Sequence, residues 1–133
     1  MEILDRKPFS REGVRGAQPG IQPALFWGKP VVVLINAQSF SDAEYFPHIV
    51  KELGLGTVIG EPTGGNVIGT YDFPLLDGSM LRIPAWGIWL LDGTNMEGNG
   101  AQPDVVVEID PDAIARGEDN QLAAAVAHLL EVK

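Results

Sequence analysis

Ser41 stands where a predicted strand meets a predicted helix, a position at which a serine can act as a nucleophile. Val31 to Ile35 is an unbroken aliphatic run, typical of a parallel strand buried on both faces. A polar bridge leads from this run to Ser41 and Asp42, beside the backbone amides of the helix's first turn. Those amides could stabilise an oxyanion that develops at the serine. The structural alternative is that Ser39, Ser41 or Asp42 simply caps the helix.

The stretch from Pro30 to Gly60 predicts a strand, a helix and a second strand, and it organises the chain. The helical pattern has four apolar residues on one face, namely Ala43, Phe46, Val50 and Leu53. Gly54 and Gly56 end this helix, and Thr57 to Ile59 begins the next strand. Ligands of open parallel sheets bind at the carboxyl ends of strands, where Ser41 is expected.

A serine hydrolase also needs a base within hydrogen-bond reach of its nucleophile. His48 follows Ser41 by seven residues, which is about 10 Å along the axis of a continuous helix. Nothing in the sequence brings His128 near Ser41, and we expect it at a surface or boundary position. With two isolated histidines and no cysteine, no metal or other cofactor is expected. The local sequence therefore offers a nucleophile without an obvious base.

A glycine-rich loop follows the second strand and contains Thr63, Gly64 and Gly65. It lacks the lysine and the spacing of a phosphate-binding loop. Its glycines could allow close approach of a peptide backbone, or they could form a plain tight turn. The sequence favours neither alternative.

The rest of the chain predicts short strands, one more polar loop and a closing helix. A type I′ turn is expected at Asp77-Gly78, between strands at 70–76 and 79–84. Further strands are expected at 88–91 and 105–109, joined by a loop that carries Glu97. Asp119 or Asn120 can cap the closing helix. The expected apolar face of that helix contains Leu122, Val126, Leu129 and Leu130.

Composition excludes several function classes. The chain has 133 residues, enough for one domain, in which residues 1–29 read as an extended Pro/Gly-rich arm and residues 30–133 as the folded segment. A formal charge of −9 argues against nucleic-acid binding. No apolar run is long enough to span a membrane, and Met1 to Gly20 lacks the apolar core of a signal peptide. The compartment is left open, with the cytoplasm slightly favoured.

Three motifs in order resemble one peptidase superfamily. SFSDAEYFPHIVKELGLGTVIGEPTGG, a DG hairpin and TNMEGNGAQPDVVVE together resemble the C-terminal-processing (S41) serine peptidases, in particular the tricorn-protease branch. The resemblance covers roughly Pro30 to Glu108. It implies an α/β fold, a crotonase/Clp-protease-like layered β-sheet with flanking helices, of which this chain would be the C-terminal half.

The resemblance also implies roles for individual residues. Ser41 matches the nucleophile, and the amide of Asp42 matches one oxyanion donor. Glu97 matches the glutamate that orients the partner serine of the catalytic histidine. The loop Thr63–Gly65 matches a segment beside the substrate cleft. The processing-protease branch takes a general-base lysine from this loop, but the corresponding residue here is Asn66.

Two functions follow as hypotheses. The first is a serine endopeptidase acting on peptides or unfolded proteins, inactive as this chain alone because the Ser-His base of the tricorn branch is expected upstream of Met1. The second is a catalytically silent module that binds peptides or apolar ligands on the same scaffold. Homo-oligomerisation is expected in both cases, because a strand edge and apolar residues such as Phe26 and Trp27 would otherwise face water.

Overall fold

A computed structural model of the chain describes residues 2–132, which form two units that divide after Val31. The first unit contains a helical turn, α1 (Glu2–Asp5), and an antiparallel ribbon of β1 (Ser10–Glu12) and β2 (Gly20–Gln22). None of its described residues is buried. The Pro/Gly-rich arm of the sequence analysis therefore includes regular structure, although it has no core.

The second unit is built on a parallel three-stranded sheet. Its strands are β3 (Val32–Ile35), β4 (Thr57–Gly60) and β7 (Val105–Val106), in the order β3-β4-β7. Helix α2 (Asp42–Glu52) connects β3 to β4, as expected for parallel neighbours. A parallel sheet with flanking helices confirms the α/β class.

Burial is greatest in β4, the central strand. Val58 and Ile59 are almost fully buried there, whereas Leu34 of β3 is exposed. The prediction that the first strand is buried on both faces is wrong, because β3 lies at an edge of the described sheet. Gly60 ends β4 with a φ of 136°, and a Cβ atom there would lie 1.9 Å from the Ile35 carbonyl oxygen, so glycine is required for this pairing.

Helix α2 buries a different face from the predicted one. Its buried residues are Glu44, Pro47 and Val50, of which only Val50 belongs to the expected apolar face. Phe46 and Leu53, which were expected inside, are exposed. The helix is rotated because the Glu44 carboxylate is bound inside the protein, as described below.

The closing helix, α4 (Asn120–Glu131), begins where predicted but also turns an unexpected face inward. The Asp119 side chain caps it by accepting a hydrogen bond from the Leu122 amide at 2.8 Å. Gln121 and Ala125 are buried, and the Gln121 side chain donates to the Val107 carbonyl at 2.7 Å. The predicted apolar face is wrong as a core face, since all four of its members are exposed, namely Leu122, Val126, Leu129 and Leu130.

The remaining elements include an antiparallel hairpin of β5 (Gly69–Pro74) and β6 (Met80–Trp86). The Gly78 amide donates to the Leu75 carbonyl at 3.0 Å, and Gly78 alone has a positive φ (84°) in this turn. The predicted type I′ turn is wrong, because that turn requires positive φ at both central residues. Here Gly78 follows the turn in the left-handed region, as in three-residue hairpin loops.

Three smaller features also differ from the prediction. Residues 88–91 form no strand and only one bridge, between Trp89 and Asn95. The last strand is limited to Val105–Val106, and an unpredicted helix, α3 (Pro111–Ala115), follows it with Asp110 as its cap. Within residues 2–132, no helix is long and apolar enough to cross a membrane.

Candidate active site

Ser41 occupies a strained turn between β3 and α2. Its φ of 55° and ψ of −124° make it the one residue other than glycine with positive φ among residues 2–132. Such a conformation costs on the order of 1–3 kcal/mol and persists only where its surroundings impose it. The turn begins at Asn36, whose side chain accepts from the Gln38 amide at 2.9 Å and whose carbonyl accepts from the Ser39 amide at 2.9 Å. This is the geometry of a nucleophile elbow.

The serine hydroxyl does not cap the helix. Ser41 occupies the N-cap position, but its side chain makes no cap hydrogen bond, so the capping interpretation is wrong for this residue. The Ser39 hydroxyl accepts from the Asn36 amide at 3.3 Å, away from the first turn of α2. The Asp42 amide is hydrogen-bonded to no acceptor within the described part of the chain. Ser41 and Asp42 are both exposed, so a hydroxyl and an adjacent N–H donor are available to a ligand.

Glu44 is the site residue that sequence reasoning missed. It lies in the first turn of α2 and is 0% exposed. Its Oε2 atom accepts hydrogen bonds from the Thr63 hydroxyl and from the Gly65 amide at 2.6 Å. Its Oε1 atom accepts from the Asn66 amide at 2.7 Å. An acid in a first helical turn is ordinarily explained by the helix dipole, so the sequence carried no signal that this one binds a loop.

Glu97 binds the next two amides of the same loop. Its Oε2 atom accepts from the Val67 and Ile68 amides, each at 2.7 Å, and the residue is half-buried. Its Oε1 atom is hydrogen-bonded to no donor in residues 2–132. One carboxylate oxygen is therefore used to anchor the loop, and the other is available.

A short hydrogen-bonded path joins Ser41 to Glu97. The Ser41 amide donates to the Asn66 carbonyl at 2.9 Å, and the peptide unit containing that carbonyl also contains the Val67 amide bound by Glu97. Because a peptide unit holds its oxygen and nitrogen less than about 3 Å apart, the Ser41 nitrogen lies within about 8 Å of the Glu97 carboxylate. The loop that carries Glu97 therefore lies beside the Ser41 turn.

The glycine-rich loop is held mainly by the protein itself. Thr63 and Gly65 are buried, whereas Gly64 is exposed. A Cβ atom on Gly65 would lie 2.8 Å from the carbonyl carbon of Gly98, so this glycine permits two loops of the protein to approach each other. The Thr63 hydroxyl and the Gly65 amide bind Glu44 and are not available to a substrate. A cleft-lining role at 63–65 stays a prediction; Gly64 is exposed, but its amide donates to the Ser39 carbonyl at 3.3 Å.

Neither histidine is hydrogen-bonded to Ser41 in residues 2–132. The His128 Nε2 atom lies 3.0 Å from the Thr57 hydroxyl oxygen, which links α4 to β4. His48 is half-buried on α2 and lines a groove of about 390 Å³ with Tyr45, Trp89 and Asp92. That groove includes neither Ser41 nor the loop that Glu44 and Glu97 bind.

Comparison with known proteins places the chain in a family. The profile of peptidase family S41 matches residues 5–107, and thus extends into the segment that sequence analysis set apart as an arm. Tricorn protease homolog 1 of Streptomyces coelicolor is 36% identical over 129 residues, which are 96% of this chain and 12% of that protein. The tricorn protease of Thermoplasma acidophilum is 36% identical over 103 residues, which are 76% of this chain and 10% of that protein.

A solved structure extends the agreement to the fold. The crystal structure of the tricorn protease superimposes with a TM-score of 0.88 at 31% identity, covering 98% of this chain and 13% of that one. The chain thus spans only about an eighth of the tricorn chain it matches. The match confirms the resemblance inferred from the SFSDAE, DG and MEGNG motifs, and with it the expected fold class. The chain belongs to peptidase family S41, among its tricorn-protease-like members.

Proposed function

We propose that this chain carries the nucleophile of a serine endopeptidase, with Ser41 as the attacking residue. The observation that carries the proposal is the positive-φ turn that leaves both the Ser41 hydroxyl and the Asp42 amide uncommitted. In the proposed reaction Ser41 Oγ bonds to the carbonyl carbon of the scissile peptide and its proton passes to a base. The Asp42 amide donates to the resulting oxyanion. The C–N bond then breaks, the amine leaves with a proton, and water hydrolyses the acyl-enzyme.

Glu97 is proposed to orient the base through its uncommitted Oε1 atom. The resemblance assigns that base to a Ser-His pair outside the matched segment, and neither His48 nor His128 is hydrogen-bonded to Ser41 or Glu97. A carboxylate in this role fixes the geometry of the base and stabilises its positive charge. A peptide or an unfolded protein segment is proposed to bind beside Gly64.

Hydrolysis of mixed peptide substrates tests this function. We call the catalytically competent protein one that contains this chain together with the Ser-His base. It should lose turnover on Ser41→Ala, whereas Ser39→Ala, two residues away in the same turn, should retain it. The 133-residue chain alone should be nearly inactive, because a serine without a base reacts slowly near neutral pH. Turnover by this chain that Ser41→Ala abolishes would contradict the need for an external base. Unchanged turnover in Ser41→Ala of the competent protein would contradict the function.

The second function, a silent module for peptides or apolar ligands, is favoured by the groove beside His48. Tyr45, Ile49 and Trp89 give this groove an apolar lining. It would be supported if the protein bound peptides without cleaving them, and if Trp89→Ala weakened that binding while Ser41→Ala did not. Loss of cleavage in Ser41→Ala would decide for the peptidase.

Self-association is proposed for the chain in solution. The exposed apolar face of α4 contains Leu122, Val126, Leu129 and Leu130. A two-fold dimer is the simplest closed assembly that covers one such patch. Sedimentation should show dimers that Leu122→Glu dissociates and that Glu131→Gln leaves intact. A monomer at high concentration would contradict the proposal.

A further inference from the structure

The buried carboxylate of Glu44 has no part in the chemistry proposed above, yet it is the most enclosed charged group described. No lysine, arginine or histidine of residues 2–132 forms an ion pair with it. Burial of a carboxylate without a cation is unfavourable unless hydrogen bonds replace its hydration. Here the Thr63 hydroxyl and two successive backbone amides do so.

Three hydrogen bonds form a closed ring through Ser41, Asn66 and Glu44. The Ser41 amide donates to the Asn66 carbonyl at 2.9 Å, and the Asn66 amide donates to Glu44 Oε1 at 2.7 Å. The Glu44 amide then donates back to the Ser41 carbonyl at 2.9 Å. The ring fixes the N–H and the C=O of Ser41 together, and so fixes both peptide planes that meet at the strained residue.

The ring also aims the proposed oxyanion donor. In a trans peptide the C=O and the following N–H point in opposite directions. The Ser41 carbonyl is directed at the Glu44 and Tyr45 amides, inside α2. The Asp42 N–H of the same peptide unit must therefore point away from the helix, where no described acceptor binds it.

We propose that Glu44 is a positioning residue for peptide hydrolysis, which clamps Asn66 so that the Ser41 turn and the Asp42 amide keep their catalytic orientation. The proposal rests on the proposed function of Ser41. Glu44 touches neither the reacting atoms nor the substrate in this mechanism, and it acts through Asn66. Its loss should affect the chemical step more than the binding of substrate.

Glu44→Gln is the direct test, with Glu52→Gln as the matched control. Glutamine keeps the shape but has only one accepting oxygen, so it cannot satisfy Asn66 together with Thr63 and Gly65. Glu52 lies in the last turn of the same helix and is exposed. In the competent protein, kcat should fall about 10- to 100-fold in Glu44→Gln, the scale of a small misplacement of reacting groups, and KM should change less than about threefold. Glu52→Gln should match the wild type in both constants.

Amide hydrogen exchange on the 133-residue chain supplies a readout that does not depend on activity. Exchange at Ser41 and Asn66 should accelerate at least about tenfold in Glu44→Gln, with little change in the β5–β6 hairpin. If amide exchange accelerated equally throughout the chain, Glu44 would contribute only to the overall stability of the fold, and the proposal would be overturned. Unchanged kcat with faster local exchange would also overturn it.

A second pair of variants covers the case in which Glu44→Gln does not fold. The Thr63 hydroxyl donates to Glu44 and accepts from the Ala101 amide at 2.7 Å. Thr63→Val should therefore reproduce part of the fall in kcat, and Thr63→Ser should restore it. Equal kcat in the two variants would count against the clamp. Failure of the peptidase function itself would appear separately, as full activity in Ser41→Ala.

Discussion

In the loops around Ser41 the carboxylates of Glu44 and Glu97 bind backbone amides, whereas in the β5–β6 hairpin large apolar side chains face solvent. Four successive amides, from Gly65 to Ile68, donate to Glu44 or Glu97. Within residues 2–132 the hairpin strands pair only with each other, and the rings of Tyr71 and Trp86 make an edge contact with centroids 5.1 Å apart. Its exposed apolar residues are Tyr71, Phe73, Leu75, Leu76, Met80, Leu81, Ile83 and Trp86.

The two regions separate the fixing of local geometry from the burial of apolar side chains, which most folded segments combine. The site loops are determined by several independent hydrogen bonds on the same few atoms, so a strained residue such as Ser41 can be maintained there. The hairpin is held by the backbone hydrogen bonds between its two strands, and most of its side chains bury little apolar surface in the described chain. Fixed geometry at the site therefore does not depend on the apolar surface of the hairpin.

The largest expected effect is on the free energy of unfolding, and it is tested by substituting one methionine in each region. Met96 directly precedes Glu97 and is fully buried, whereas Met80 begins β6 and is exposed. Met96→Ala should lower the free energy of unfolding by about 2–5 kcal/mol, as truncation in a core does. Met80→Ala should change it by less than about 0.5 kcal/mol. Urea denaturation of both variants measures this, and equal losses would remove the distinction between the two regions.

Glu97→Gln should produce the next largest effect, on catalysis. The glutamine oxygen can still accept from the Val67 and Ile68 amides, so the loop should stay anchored. Its NH₂ group cannot accept from the base or its partner, so kcat should fall at least about 100-fold with little change in KM. Asp72→Asn is the control, since Asp72 forms an exposed ion pair with Arg82 in the hairpin. A loss of stability without a loss of kcat would make Glu97 a structural anchor only.

The strain at Ser41 predicts a smaller effect on stability, in which the order of the glycine and alanine variants is opposite at Ser41 and in the hairpin. Glycine adopts positive φ freely, so Ser41→Gly should be about 1 kcal/mol more stable than Ser41→Ala, after the entropy of glycine offsets part of the relief. Ser79 in the hairpin has no positive φ, so there Ser79→Gly should be less stable than Ser79→Ala. Thermal unfolding of the four variants tests the contrast. The same order at both positions would show that Ser41 is not strained.

Local patterns predicted the main elements but not which faces they bury. The Val31–Ile35 run, the Thr57 strand and the Asp119 cap could be inferred because each depends on neighbouring residues. The inward face of α2 could not, because it is set by the bonds from Glu44 to a loop some twenty residues further along the chain. Periodicity places apolar residues inside by default, and it gave no reason to bury a glutamate. Ser41 was singled out by its position at a strand-helix junction and Glu97 by motif resemblance, and their roles stay predictions.

The smallest effect concerns acid stability, where Asp104 and Asp77 represent the two regions. Partial burial raises the pKa of Asp104, but the Val58 amide and the Lys51 ammonium outweigh it and hold the pKa below its usual value. The Ser79 hydroxyl and amide likewise lower the pKa of Asp77 in the hairpin turn. A carboxyl with a depressed folded pKa stabilises the protein above its unfolded pKa, and this contribution is lost as the pH falls through the folded value.

Asp104 should matter more than Asp77 because its partners belong to different elements. It joins β4 to α2 through Val58 and Lys51, at 2.9 and 3.0 Å, whereas Asp77 binds only its own turn. Asp104→Asn should reduce stability at pH 7 by about 1 kcal/mol or less, given the partial exposure of the ion pair. The gap from wild type should close as the pH falls below about 4, the usual pKa of an aspartate, because wild-type Asp104 becomes protonated as the pH passes its lower folded value. Asp77→Asn should change global unfolding less at every pH. Urea denaturation across this range tests both variants, and a gap for Asp104→Asn that stays constant with pH would show that its charge is not what joins the two elements.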